Sequence, residues 1–171
     1  MNSAHLNTSE YAPFYGGYIQ TIGEVDLFEI LKSSAEDLLS TLENLPEKKL
    51  VFRYAEGKWT IKELVQHIID AERVLSYRAL RFSRNDATHL EGFDEDWYVA
   101  NSSGNNRDLK DLLDEFSYVR NGTIAMFKSF SPEMFSLTGS ANGSDFSVRA
   151  LGFIIAGHQT HHLNIIKKKY I

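Results

Sequence analysis

The sequence contains no cysteine and no long apolar run. Without cysteine there is no disulfide framework, no thiolate metal ligand and no thiol nucleophile, so any bound metal must rest on histidine and oxygen ligands. No apolar run reaches the roughly 18 residues that a membrane-spanning helix needs, and the N-terminus lacks a basic segment followed by an apolar one. We therefore expect a cytoplasmic protein.

Positive charge is also scarce. Lysine and arginine total 18 against 23 aspartates and glutamates, which gives a net charge of −5. A nucleic-acid-binding surface needs clustered basic residues, and the only short basic run, at 167–169, suits the C-terminal end of a helix, where cations meet the helix dipole. The expected partner is a small-molecule substrate, not nucleic acid or a membrane.

Four segments have the apolar periodicity of helices, at roughly 23–45, 60–84, 107–130 and 147–168. Pro46 and Pro132 follow the first and third segments, while Thr60 and Glu63 form a capping box that starts the second. No segment has a convincing strand pattern, and the sequence SANGSD before the fourth segment is interpreted as a polar loop. With 171 residues, the chain suits one domain, 1–171, whose predicted class is all-α with a four-helix bundle architecture.

Two of the three histidines in GHQTHHLNII are four residues apart on the fourth helix. His158 and His162 therefore project from one face, about one turn and roughly 6 Å apart, and can bind one cation. His67 lies on the inward stripe of the second helix and is the best third ligand. The alternative is a cluster of core histidines that hydrogen-bond to one another. His161 falls on the flank of the stripe, where it is either a rim residue of the pocket or a surface imidazole.

Two other kinds of metal bundle do not fit these spacings. Di-iron carboxylate bundles place glutamate three residues before histidine, but Leu64 and Ile155 occupy those positions. The zincin motif needs glutamate directly after its first histidine, where this chain has Gln159. What remains is a three-histidine site with open coordination positions, which is typical of catalytic metals.

The segments KWTIKELVQHIIDAER, RALRFSRND, LEGFDEDWYV and GHQTHHLNII together resemble the DinB-like (DinB/YfiT-like) superfamily of metalloenzymes. The resemblance implies a four-helix bundle of up-up-down-down or related topology, one divalent ion per chain, zinc or nickel, and a homodimer. It maps the metal ligands onto His67, His158 and His162. The better-understood members resemble thiol S-transferases that use bacillithiol, mycothiol or glutathione, and other members are described as metal-dependent hydrolases.

Three further residues are candidates for the pocket. Arg78 lies on the apolar stripe of the second helix, where it either binds a substrate carboxylate or pairs with an acid from the long connection at 85–106. Asp70 is a possible carboxylate support for a metal ligand, or else a partner in a salt bridge. Tyr98 belongs to a stretch of the long connection that is expected to roof the metal, together with Asp94, Asp96 and Trp97.

The predicted function is a metal-dependent thiol S-transferase, in which the cation lowers the pKa of a bound thiol. The alternatives are a metal-dependent hydrolase that uses bound water, and a bundle that uses its metal for stability or sensing without catalysis.

Overall fold

The computed structural model describes all 171 residues. Its elements in chain order are α1 (Gly16–Ile22), α2 (Leu27–Leu42), α3 (Glu47–Leu50), α4 (Ile61–Ser83), α5 (Glu95–Asn101), α6 (Leu109–Lys128), β1 (Thr138–Ala141), β2 (Ser144–Ser147) and α7 (Val148–Lys169). The four long helices α2, α4, α6 and α7 confirm the predicted bundle. No helix combines the length and apolarity that crossing a membrane requires.

Local sequence signals account for the ends of these helices. The predicted capping box is present at the start of α4, where the Thr60 side chain accepts from the Glu63 N–H and the Glu63 side chain accepts from the Thr60 N–H. The first bundle helix begins later than predicted, because Gly23 with a φ of 64° ends α1. Asp26 then caps α2 by accepting hydrogen bonds from two backbone N–H groups.

The polar loop predicted before the fourth helix is wrong, because this segment is an antiparallel hairpin. Strands β1 and β2 pair in register, with Thr138 opposite Ser147 and Ala141 opposite Ser144. Asn142 and Gly143 form the turn, with φ values of 50° and 72°. An Asn-Gly pair is the usual signal for a two-residue hairpin turn, since both positions need positive φ.

The directions of the helices follow from their side-chain pairs. Gln159 donates to the Ser34 carbonyl and Lys167 pairs with Asp37, so α7 runs parallel to α2. Arg107, just before α6, donates to Gln66 near the start of α4. Further along the same two helices, Arg73 pairs with Glu115, so α6 runs parallel to α4.

Helices α4 and α7 are antiparallel. His67 near the start of α4 meets His162 near the end of α7, and Phe82 at the end of α4 lies against Gly139 in the hairpin that precedes α7. Both α2 and α4 pack on α6 and α7, so they occupy opposite corners of the bundle. The chain therefore runs up, down, down, up, an order related to up-up-down-down.

A buried polar layer divides the core into two apolar clusters. Arg120 of α6 forms an ion pair with Glu72 of α4, with Nε and Oε1 2.9 Å apart. The same guanidinium donates to the Leu31 carbonyl, the Ser34 hydroxyl and the Gln159 amide oxygen. One side chain thus contacts all four helices of the bundle. The sequence did not predict this layer, because its members are far apart in the chain and meet only when the four helices pack.

The N-terminal segment packs along α7, near its middle. A methyl group at Gly157 would come within 2.3 Å of the Tyr18 carbonyl oxygen, so α1 and α7 approach at backbone contact. Glu10 anchors the segment by accepting hydrogen bonds from Arg149 and Ser147. This packing places the aromatic residues of the segment beside the histidines of α7.

Candidate metal centre

Three histidine Nε2 atoms converge between α4 and α7. His67 and His158 are 2.9 Å apart, His67 and His162 are 3.2 Å apart, and His158 and His162 are 3.1 Å apart, each measured between Nε2 atoms. The four-residue spacing on α7 places two rings on one face, and the antiparallel α4 brings the third ring to the same point. All three side chains are buried.

Hydrogen bonds alone cannot satisfy this triangle. In a neutral imidazole, Nε2 either carries a proton and donates or has a free lone pair and accepts. With three nitrogens and only two states, at least one of the three contacts must join two donors or two acceptors. Two donors or two acceptors that face each other repel, and inside the core this repulsion is poorly screened. A cation bound to three lone pairs removes the conflict.

The protonation states fit a cation site. Burial lowers the pKa of His67 to about 4 and, together with the neighbouring His67 and His161, lowers the pKa of His162 to about 3. Burial first, and then the other three histidines, hold the pKa of His158 well below its usual value. All three imidazoles are therefore neutral at pH 7 and can offer lone pairs.

The dimensions also suit a transition-metal ion. With sides of 2.9, 3.2 and 3.1 Å, all three nitrogens could reach one ion at the usual bond length of about 2.0–2.1 Å. Nδ1 of His162 is the one buried side-chain polar atom without a hydrogen-bond partner, an unsatisfied group at the site itself.

A cavity of about 240 Å³ opens directly on the three histidines. We refer to it as the first cavity. Its walls are mainly aromatic and apolar, and two carboxylates join them from the start of α5. The lining residues other than the histidines are Phe14, Tyr15, Tyr18, Trp59, Ala71, Leu75, Phe93, Glu95 and Asp96.

A second cavity of about 260 Å³ meets the first at Trp59, Asp96 and His162. Its remaining lining residues are Tyr54, Gly57, Lys58, Leu64, Ile165 and Tyr170. Trp59 also packs against the His67 ring, with centroids 4.8 Å apart. The candidate site therefore lies where two cavities adjoin and share three lining residues.

The other predicted residues have different locations. His161 lies on the flank, half-buried, with its ring 5.1 Å from that of Tyr18. Asp70 accepts from Gln66 and lies 3.8 Å from Arg73, away from the histidines. Tyr98 is exposed and packs on Phe93.

The long connection covers the site, but of the four residues named for it in the sequence only Asp96 lines the first cavity, together with Phe93 and Glu95. Trp97 and Tyr98 line a separate groove beside Asp70. The reason is that α5 begins at Glu95, so its first turn faces the cavity and the next residues turn away. The sequence did not identify Tyr15, Tyr18 and Trp59 as lining residues of this cavity. For the two tyrosines, the dense aromatic content of the N-terminal segment was the available signal.

Fold and site together define a four-helix bundle with a three-histidine cluster at the junction of two cavities. The model of the DinB superfamily matches residues 30–166, so the chain belongs to that superfamily. This confirms the resemblance seen in the sequence. Curated proteins provide no match.

A solved structure has the same fold. YfiT from Bacillus subtilis, described as a probable metal-dependent hydrolase with an unusual four-helix bundle topology, superposes with a TM-score of 0.71 at 16% sequence identity. The match covers 83% of this chain and 84% of YfiT. At this identity the likeness demonstrates the fold alone.

Proposed function

We propose that this protein is a metal-dependent enzyme whose ligands are His67, His158 and His162, and that it transfers a low-molecular-weight thiol to an electrophile. The observation that carries the proposal is the Nε2 triangle, which needs a cation and opens on a cavity large enough for a small organic molecule. A divalent cation held there would lower the pKa of a thiol or water molecule bound beside it.

The residues around the triangle have complementary roles. Tyr18 and Trp59 exclude water from one side of the histidines, with the Tyr18 and His158 ring centroids 5.4 Å apart. Asp96 lines both cavities and is the proposed acceptor of the proton that the thiol loses. A carboxylate at a partly open mouth can exchange that proton with solvent.

The second cavity supports transfer over hydrolysis, because a transferase needs room for two organic substrates at one centre. The sulfur lone pair forms a carbon–sulfur bond with the electrophile while the bond to its leaving group breaks. The leaving group departs with the bonding electrons, and the proton passes from the thiol to Asp96 and then to solvent or the leaving group. No net oxidation occurs.

Hydrolysis is the second candidate, and the description of YfiT as a probable metal-dependent hydrolase favours it. In that reaction water is the nucleophile, Asp96 again accepts a proton, and one organic substrate fills the first cavity. A closed site that serves stability or sensing is less consistent with the cavity that opens on the three histidines.

We further propose zinc or nickel as the ion, one per chain, and a homodimeric, cytoplasmic protein. Neutral imidazoles suit both metals.

Light scattering of the purified protein should give twice the chain mass. Many stable dimers persist at about micromolar concentrations, so a monomer mass there would contradict the dimer.

The test of function compares metal-loaded and chelated protein in two assays. One follows conjugation of small thiols to a haloarene or an epoxide, and the other follows hydrolysis of a panel of esters and amides. We expect conjugation that chelation abolishes and metal restores, and an Asp96→Asn variant with a much lower rate. Asp145→Asn is the matched control, since Asp145 is exposed on the hairpin and outside both cavities.

The outcomes separate the alternatives. Metal-dependent hydrolysis without conjugation would replace the transferase proposal with the hydrolase. Absence of both activities in protein that retains its metal would favour a structural or sensing role.

A further inference from the structure

Arg78 is a buried guanidinium without a carboxylate partner. Its side chain is only 3% exposed, and its Nη2 donates a hydrogen bond to the Glu91 carbonyl oxygen at 2.9 Å. By contrast, the buried Arg120 pairs with Glu72. A buried charge without a counter-ion costs several kcal/mol, so its retention needs a reason.

Arg78 extends the face of α4 that lines the first cavity. His67, Ala71 and Leu75 lie on that face and contact the cavity, and Arg78 follows one turn later. Its position is eleven residues beyond His67, or roughly 16 Å along the helix axis. Arg78 itself is not among the residues that line the cavity.

Tyr15 connects Arg78 to the cavity. It lines the cavity wall, and the Arg78 guanidinium is near enough to act on the pKa of its hydroxyl. Burial is the main cause that raises the pKa of Tyr15, while the positive charge of Arg78 lowers it and the negative charge of Glu95 raises it. The hydroxyl is therefore protonated near neutral pH and can donate a hydrogen bond to a ligand.

We propose that Tyr15 and Arg78 recognise a carboxylate on the substrate whose reacting group lies at the three histidines. This inference rests on the proposed function. The carboxylate accepts a hydrogen bond from the Tyr15 hydroxyl, and Arg78 supplies the positive charge directly behind it. The substrate class is a thiol that also carries a carboxylate, placed so that the sulfur lies at the histidines while the carboxylate reaches Tyr15.

Two acidic residues oppose this attraction. Glu95 and Asp96 lie at the mouth of the cavity, and Glu95 acts on the Tyr15 hydroxyl through its negative charge. Their presence predicts that removing the Glu95 charge strengthens carboxylate binding. Removing the positive charge of Arg78 and removing the negative charge of Glu95 should therefore change the affinity for the carboxylate in opposite directions.

Calorimetry on metal-loaded protein tests the proposal with ω-mercaptoalkanoic acids of increasing chain length, each compared with its amide. We expect the acid to bind more tightly than the amide by about tenfold at one intermediate length, as a charge-assisted hydrogen bond provides. Arg78→Met and Tyr15→Phe should abolish that preference, and Glu95→Gln should increase it. Arg81→Met is the matched control, because Arg81 lies on the same helix as Arg78 but does not line the first cavity and pairs with Asp86 just beyond the end of α4.

The Tyr15→Phe variant keeps the aromatic ring, so it tests recognition even if Arg78→Met fails to fold. Equal binding of acids and amides at every chain length overturns the inference, as does the absence of binding by both series. The inference is also overturned if Arg78→Met and Tyr15→Phe each weaken the binding of acid and amide by the same factor. Acid preference without any conjugation would contradict the proposed function alone, and conjugation without acid preference would contradict this inference alone.

Discussion

His67 and His158 lie 91 positions apart in the sequence, yet their Nε2 atoms are 2.9 Å apart. The contact depends on α4 and α7 being antiparallel neighbours with a fixed axial offset. The polar layer at Arg120 and Glu72 fixes that offset, since Arg120 also binds Gln159, the residue next to His158. The packing of the core and the geometry of the site are therefore coupled.

Replacing any one of His67, His158 and His162 by alanine should remove most of the bound metal, because two imidazoles hold an ion far less tightly than three. Wild-type protein should carry about one divalent ion per chain, measured by elemental analysis. His161→Ala is the control and should retain the ion. Full metal content in all three ligand variants would refute the site.

Metal-free protein should become less stable as the pH falls below about 6.5. His67, with a folded pKa of about 4, stays neutral while the unfolded chain takes up a proton at a pKa of about 6.5. The unfolded state then binds more protons, so the free energy of unfolding falls by roughly 1.4 kcal/mol per pH unit for each such histidine. Urea denaturation across this range measures the slope, and His67→Gln should reduce it.

Gly157→Ala should displace α1 from α7, because the new methyl group would meet the Tyr18 carbonyl oxygen at 2.3 Å. We expect a loss of about 1–3 kcal/mol in stability, as in other overpacked contacts, and lower activity, since Tyr18 lines the first cavity. Gly122→Ala on α6 is the control. Nothing lies within 4 Å of its added methyl group, so this substitution should be neutral or slightly stabilising.

Arg120→Met should cost about 3–5 kcal/mol, because it leaves the Glu72 carboxylate buried without a counter-ion. The double variant Arg120→Met with Glu72→Leu should recover much of that loss, since an apolar pair needs no desolvation of charge. Chemical denaturation of both single variants and the double variant measures the coupling. Additive losses would show that the ion pair contributes nothing.

Helical periodicity predicted the four long helices and the convergence of the three histidines, because both depend on which residues share a buried face. The capping box at Thr60 and Glu63 predicted the start of α4 within one residue. Local signals of this kind need no knowledge of tertiary contacts.

The missed features depend on tertiary contacts. Tyr98 was expected in the pocket, but the orientation of α5 gives that position to Glu95 and Asp96. Arg120 lies four residues after Phe116, on the buried face of α6, and only its four partners explain a guanidinium there. The Asn142-Gly143 turn was the exception, a local signal that sequence analysis passed over.

The parallel arrangement of α4 and α6 explains why the site has a cover at all. Two parallel neighbours cannot be joined by a tight turn, so the chain must travel back along the whole bundle between Arg84 and Asp108. Asn105 contacts Thr60 at the end of that path, which places the return beside the start of α4. Phe93, Glu95 and Asp96 belong to this returning segment and line the first cavity. In a bundle of strictly alternating helices joined by tight turns, the first cavity would lack these three lining residues.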